Sequence, residues 1–561
     1  MRKQTKIAAV VSAAALLAIG ASMTSFAATG WQEEDGTWVY YNRAGEKVAN
    51  AWEYSGDNRF YLDDAGNMAT DSLIEDNDDY YYVDANGAMV RNRWVAIDNE
   101  EAGEENQPDV WWYYFQANGK AYKNTHASGN IFKKVINGKT YCFDEDGKMQ
   151  YGWVKKDDGV TNYDDNAYQE CDYYFGDEND GAMSIGWREI ALTDVADADT
   201  EQPGDSYWDS DQVRWFYFKS SGVKQTSSTN KTINGRKYGF DEWGRMIADW
   251  HAATANNADN ELSRRGSMNN ATVAATKSYA REFMYFSSPE DGARFTKGWF
   301  KVVPGYYLNY KDYDDGTDRW YYANGDGKIA AGEIKAIKGK KYAFDLKGGM
   351  ISGLALLRTN GKEISEYADS DGKYDSQESF ETTARSMGSD WGFYYFSDNE
   401  DKDGSMKTGN QRISLDGENF TFSFRKGGTR KGQGITGVNE KKYYLGGMLM
   451  TASVDNKIEL LNKNTLERVT VDKFVRDNGL VGKDVTSGKV GQANKDDVVY
   501  TDGTTGTSGT ATGLDITSLT SDYVVINVSG NVVKSGSKVD GDGYKVVLDG
   551  SNRIKQIIAT K

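Results

Sequence analysis

The chain has 561 residues and a formal net charge of −18, with 61 Gly, 37 Tyr, 15 Trp, 4 Pro and 2 Cys. That length exceeds one ordinary core and points to several domains or an array. The acidity argues against a nucleic-acid partner, whose phosphates need a basic face, and two cysteines cannot build a disulfide framework.

Residues 1–27 read as a signal peptide. Arg2, Lys3 and Lys6 precede the apolar run Ile7–Ile19, and Ser25-Phe26-Ala27 supplies small residues for cleavage. The run is 13 residues long, short of the roughly 20 that a membrane span needs. The expected mature chain is exported, has no membrane span and must hold its place by binding.

Residues 28–122 carry tight, hairpin-like units. Gly30-Trp31 leads into Trp38-Val39-Tyr40-Tyr41 and Gly45, and Trp52 opens the next unit. Phe60-Tyr61 is followed by Gly66-Asn67-Met68, and Tyr80-Tyr81-Tyr82 by Gly87-Ala88-Met89. Aromatics two apart share one face of a strand, and Asp/Asn with Gly supply turns.

Across residues 123–450 the units spread into a super-repeat of about 100 residues. Lys134–Trp153 (KVINGKTYCFDEDGKMQYGW) returns at Thr232–Trp250, at Ala336–Leu354 and, worn, at Gly437–Met450. Lys139–Phe143 reads as its strand, Asp144–Gly147 as its turn and Met149 as the start of the return strand. Such a hairpin buries its apolar face only by stacking on neighbours. Cys142 takes the slot of Gly239 and Ala343, which favours a small buried residue over a bridge to Cys171. Acidic insertions, Asp98–Asp109, Asp194–Asp211 and Tyr306–Asp318, read as solvated loops. Leu262–Ser278 has helical composition without a clear cap. Residues 451–561 lose Trp entirely and read as a small C-terminal β-rich region of unassigned function.

Catalytic patterns are sparse. His126 and His251 have no partner set in the sequence, and the acids sit in turns and loops, where solvation keeps carboxylates ordinary. Gly432–Gly437 matches GxGxxG, but a repeat strand follows where a dinucleotide site needs a helix. No cofactor is expected apart from one calcium candidate, Tyr367–Glu378. There Asp369, Asp371, Asp375 and Glu378 fall at loop positions 3, 5, 9 and 12 with Gly372 at position 6, while Tyr367 replaces the first acid and no flanking helix is evident. An acidic loop without metal is the favoured alternative.

The aromatics carry the strongest signal. Trp31, Trp153, Trp187 and Trp299 follow Gly at hairpin edges, and Trp38, Trp112, Trp215 and Trp320 open strands. Rings so placed attract quaternary ammonium by cation–π forces or stack on sugars, and several weak sites on one array add by avidity.

At these residues the sequence resembles the choline-binding and cell-wall-binding repeat family of Gram-positive surface proteins. The resemblance is clearest at Gly30–Trp52 and covers roughly Thr29–Met450. It implies an all-β solenoid of stacked β-hairpins with acidic loop insertions, followed by the small C-terminal β region. It also implies aromatic cages at Trp31, Trp38 and Tyr61, at Trp187 with Trp215, and at Trp299 with Trp320. Thr140, Lys237, Lys341 and Lys442 stand where the strand-opening Trp would be, which marks the recurrent units as spacers. The expected function is non-covalent attachment, without catalysis, to cell-wall polysaccharide or teichoic acid at the cell surface, with choline as one candidate ligand. Two alternatives remain: a wall-glycan hydrolase with its site in the tail or loops, and an adhesin that uses the repeats as scaffold.

Overall fold

A computed structural model describes residues 29–125, 131–164, 166–192, 212–252, 277–305, 308–368, 372–398, 403–478, 483–484, 498–501 and 519–559. Two compact units result, Met1–Ala248 with Ser287–Ala293 and Asp249–Phe286 with Arg294–Lys561. The signal-peptide segment and Asp194–Asp211 lie outside the described residues.

Both units are all-β solenoids of stacked antiparallel hairpins. In the first, Gly30–Glu34 pairs with Thr37–Tyr41, Ala51–Ser55 with Asn58–Leu62, Ser72–Asp76 with Asp79–Val83 and Arg93–Asp98 with Val110–Phe115. Many hairpins close on two successive residues at positive φ, as at Asp35-Gly36 (52° and 82°) and Asn137-Gly138 (49° and 82°). This is the two-residue turn whose twist matches that of the strands it joins.

Asn137-Gly138 also corrects the turn expected in Lys134–Trp153. The principal hairpin there runs Lys133–Ile136 back along Lys139–Phe143, because Asn-Gly takes both positive-φ positions at little cost. Asp144–Gly147 makes a second turn, after which Met149–Gln150 pairs for only two residues. The Asp144 carboxylate accepts the N–H groups of Asp146 and Lys148 at 3.0 and 2.8 Å, a side-chain mimic of a backbone turn. Asp63, Asp84, Asp241 and Asp345 repeat the motif.

Two contacts recur between a hairpin and the one before it. The first is a backbone bond from the residue in the Met68-like position to the carbonyl of the preceding strand-opening residue. It runs from Met68 to Trp38, Met89 to Arg59, Met183 to Thr140, Lys224 to Asp172 and Met246 to Trp215, and in the second unit from Met350 to Trp320 and Met406 to Lys341. The second is a glycine seat. A Cβ at Gly87 would meet the Met68 sulfur at 2.9 Å, and one at Gly222 the Met183 sulfur at 2.3 Å. Only a glycine allows the next turn to come so close. The last apolar residue of successive strands fills the core: Leu62, Val83, Phe115, Phe143, Phe175 and Phe218 in the first unit, and Phe344 and Phe396 in the second.

Two insertions depart from the solvated-loop expectation. Residues 155–172 form a helical turn, Ala167–Glu170, that buries Tyr168. Within Tyr306–Asp318 the helix Tyr310–Asp314 places Asp312 against Arg319, while Leu308 is fully buried. Ala167, Tyr168 and Cys171 in one, and Leu308 in the other, give the insertion something to bury, so it folds back instead of staying in water. Of Leu262–Ser278, the described end contributes to the helix Lys277–Ala280.

In the second unit, Gln377–Ser386 is a helix that starts with a capping box of Ser376 and Ser379. Its Phe380 packs on Phe393 and Phe422 at ring separations of 4.5 and 5.2 Å. Leu461, Leu466 and Ile526 of the C-terminal region share that core. Hairpin grammar also continues there: Ile526 bridges to Val532, Asn527 organises the turn, and Gly530 seats on Leu449. Both cysteines are free and buried. No helix among the described residues is long and apolar enough to cross a membrane.

Candidate functional site

The recurring site is built around the Trp that opens the first strand of a hairpin. Its ring meets the Tyr directly across the hairpin and an aromatic from the following hairpin. Trp31 contacts Tyr40 and Phe60, both at 5.3 Å, and Trp52 contacts Tyr61 at 5.0 Å and Tyr81 at 5.1 Å. Trp94 joins Tyr114 and Tyr141, Trp153 joins Tyr174 and Phe216, and Trp187 joins Tyr217 and Tyr238. In the second unit Trp250 joins Tyr285 and Tyr321, and Trp299 joins Tyr322 and Tyr342. Most of these pairs are edge-to-face, the arrangement favoured by the ring quadrupole and worth about 0.5–1.5 kcal/mol beyond area burial. These rings are packed against each other as mortar between hairpins.

The expected cage residues are therefore redistributed. Trp31 takes Tyr40 and Phe60 as ring partners and donates its Nε1–H to the Tyr54 carbonyl at 3.0 Å. Tyr61 belongs to the Trp52 set. Trp38, half-buried, pairs across its hairpin with Glu33. Trp187 and Trp215 do come together, at 6.3 Å and nearly perpendicular. Trp299 is held by Tyr322, Tyr342 and Phe344, and Trp320 lies across the strands from Lys301.

Cations of the chain itself lie over several of these rings, a feature the sequence reading did not find. In the first unit Arg59 stands over Trp52 at 5.0 Å and Tyr54 at 5.7 Å, Lys123 over Tyr80 at 5.2 Å and Lys148 over Trp111 at 5.1 Å. Lys224 stands over Trp153 at 5.3 Å, and Arg245 over Trp243 at 4.6 Å and Tyr168 at 5.7 Å. All lie within the roughly 6 Å at which an aromatic face attracts a cation. The signal was available: Arg59 occupies the strand-opening position, and Lys224 a position that holds Met in the neighbouring units.

Lys224 and Arg245 are both enclosed, 4% and 3% exposed, and the Lys224 ammonium donates to the Tyr168 carbonyl. Burial pulls the Lys224 pKa down to about 8, opposed chiefly by the negative charge of Asp241. Arg245 is fixed by an Nε–H bond of 2.7 Å to Asp241. Among carboxylates, burial raises Asp144 and Asp345 to about 6. Each is engaged by the N–H groups of its own turn, which gives it a structural task.

Of the calcium candidate, Asp375 accepts from the Ser379 hydroxyl at 3.0 Å, and Glu378 lies exposed in the first turn of Gln377–Ser386. Asp369 and Asp371 lie outside the described residues. The helix directly after this loop was missed because its capping box uses Ser379 where the usual signature has Glu or Gln. At GxGxxG, a Cβ on Gly434 would strike the Gly446 carbonyl oxygen at 2.2 Å, so this glycine permits a backbone crossing.

Fold and site together define a repeat protein whose hairpins are joined by aromatic sets. Residues 46–88 match the family model of the choline-binding repeat. A glucosyltransferase-S of Streptococcus mutans is 28% identical over 60% of this chain, and the match takes in 22% of that relative's length. Among solved structures, the modular autolysin LytC of Streptococcus pneumoniae aligns at 16% identity and a TM-score of 0.30, over 62% of this chain and 59% of that one. The choline-binding domain of CbpL from the same organism aligns at 20% identity and a TM-score of 0.23, over 55% of this chain and all of that domain (100%).

Proposed function

We propose that the chain is an exported, non-catalytic binding protein that attaches to cell-wall polymer through aromatic positions repeated along its hairpins. The observation that supports this most is the decoupling at the strand-opening position. The inter-hairpin bond at Trp38, Tyr80, Trp215 and Trp320 is made by the main chain, so it places no demand on which side chain stands there. The repeat match at residues 46–88 points the same way. Planar rings of this kind stack on sugars and hold quaternary ammonium groups, so teichoic acid and wall glycan are the ligand classes. Repetition along one array multiplies weak contacts.

The test is retention of the purified chain on fractionated wall polymer, teichoic acid and glucan, each with and without choline. Retention on one or more polymers, weakened by Trp38→Ala, is expected. Free passage through all of them overturns the reading. A glycan-release assay on the same material addresses the hydrolase alternative, which is consistent with the enzymes among the similar proteins, and no release is expected.

A further inference from the structure

The position of Lys224 bears on which ligand the array admits. In its own unit Phe218 bridges to Lys224, as Leu62 bridges to Met68 and Val83 to Met89. Its backbone N–H bonds the Asp172 carbonyl, and the glycine of the next turn, Gly244, seats on its aliphatic stem with a virtual Cβ 2.7 Å from Cγ. In every backbone respect it is therefore an ordinary member of the series Met68, Met89, Met183 and Met246. Its side chain differs by carrying a charge into the stack. The ammonium lies against the Trp153 ring, beside Tyr168, with Phe216 closing the Trp153 set.

Burying a charge is costly unless it is paired, and a thioether serves the same backbone position in neighbouring units without that cost. The cation's contacts therefore call for an explanation, and they coincide with the place a quaternary ammonium would take. We propose that Lys224 is an internal ligand whose ammonium fills the aromatic site at Trp153, closing this step of the array to choline. Arg245, packed over Tyr168 and Trp243, walls the same cluster from the following unit. Arg59 over Trp52 and Tyr54 shows the same device in the residues that match the repeat model. The repeats of the first unit thus contain ring clusters committed to the chain's own cations. Choline can compete only where no such cation intervenes, while sugar stacking on strand-opening rings away from these cations is untouched.

The proposal stands apart from wall attachment, because it is read by counting choline sites on the free protein. Calorimetric titration with choline chloride is carried out on the full chain and on Lys224→Met and Lys224→Ala. Each variant is expected to gain one site that the parent lacks, and a second change, Trp153→Phe, should weaken that new site at least several-fold. Folded variants that gain no site overturn the proposal. Trp153→Phe in the otherwise unchanged chain supplies a check that needs no lysine variant. Its choline stoichiometry should equal the parent's, and loss of one site would overturn the proposal by showing that the cluster already binds choline.

Discussion

Gly222 rests on Met183 so closely that a Cβ at the glycine would lie 2.3 Å from the Met183 sulfur. The same residue holds a φ of 82°. Two penalties therefore fall on Gly222→Ala, the left-handed backbone and the displaced thioether. Gly36 has the same φ of 82° with nothing within 4 Å of a Cβ, and isolates the backbone penalty. Gly36→Ala is expected to cost about 1 kcal/mol and Gly222→Ala about 2–4 kcal/mol. Denaturant unfolding of the two variants measures the difference, and equal losses would show that the glycine seat contributes nothing.

Lys224→Met is expected to stabilise the first unit at neutral pH. Burial lowers the folded-state pKa from 10.5 to about 8, so below pH 8 folding retains a proton at a cost of about 3 kcal/mol. Between pH 8 and 10.5 the unfolded chain binds more protons than the folded one, and the cost falls as pH rises. The variant's advantage, about 1–3 kcal/mol at pH 7, should therefore shrink toward pH 10.5. Thermal unfolding at pH 7 and pH 10 tests it; an advantage that grows with pH contradicts the assignment.

The rings divide by task. Trp52→Ala removes contacts with Tyr61 and Tyr81 and the bond to Asp76, and should cost about 3–5 kcal/mol. Trp38→Ala leaves the Met68 bond to its carbonyl intact and should cost about 1 kcal/mol while weakening polymer retention. Parallel melting and retention measurements separate the two; a Trp38 variant that melts like the Trp52 variant would remove the distinction.

Arg468 ties the C-terminal region to the Gln377–Ser386 helix through Glu381 at 2.5 Å, and lies 3.7 Å from Glu459. Arg468→Met leaves two largely buried carboxylates without that cation. Arg385 still pairs with Glu381, so the expected loss is about 1–3 kcal/mol, seen as earlier unfolding of the second unit. Glu381→Gln/Arg468→Met should recover part of it, and no recovery would argue against charge as the cause.

The hairpins and their stacking are legible in the sequence, because period-two aromatics and turn residues are local signals. Asn137-Gly138 and Asp144–Gly147 both have turn chemistry, and only the strand register decides which closes the principal hairpin. Of the expected aromatic sets, Trp187 does meet Trp215, while Tyr61 joins Trp52. Trp52 meets Tyr61 across a strand pair and Tyr81 across a hairpin step, and these distances depend on stacking that spacing alone does not fix. Leu308 is hidden within the loop expected at Tyr306–Asp318 because one apolar side chain in a polar stretch has no period to reveal it.

The backbone bond between Met68 and Trp38, repeated through the chain, has an evolutionary consequence. The joint between modules is written in atoms that every residue possesses, so ligand preference can drift at the strand-opening position without loss of the assembly. Trp38, Arg59, Tyr80, Thr140, Asp172 and Trp215 already sample that freedom. An architecture of this kind can be duplicated first and specialised afterwards, one module at a time.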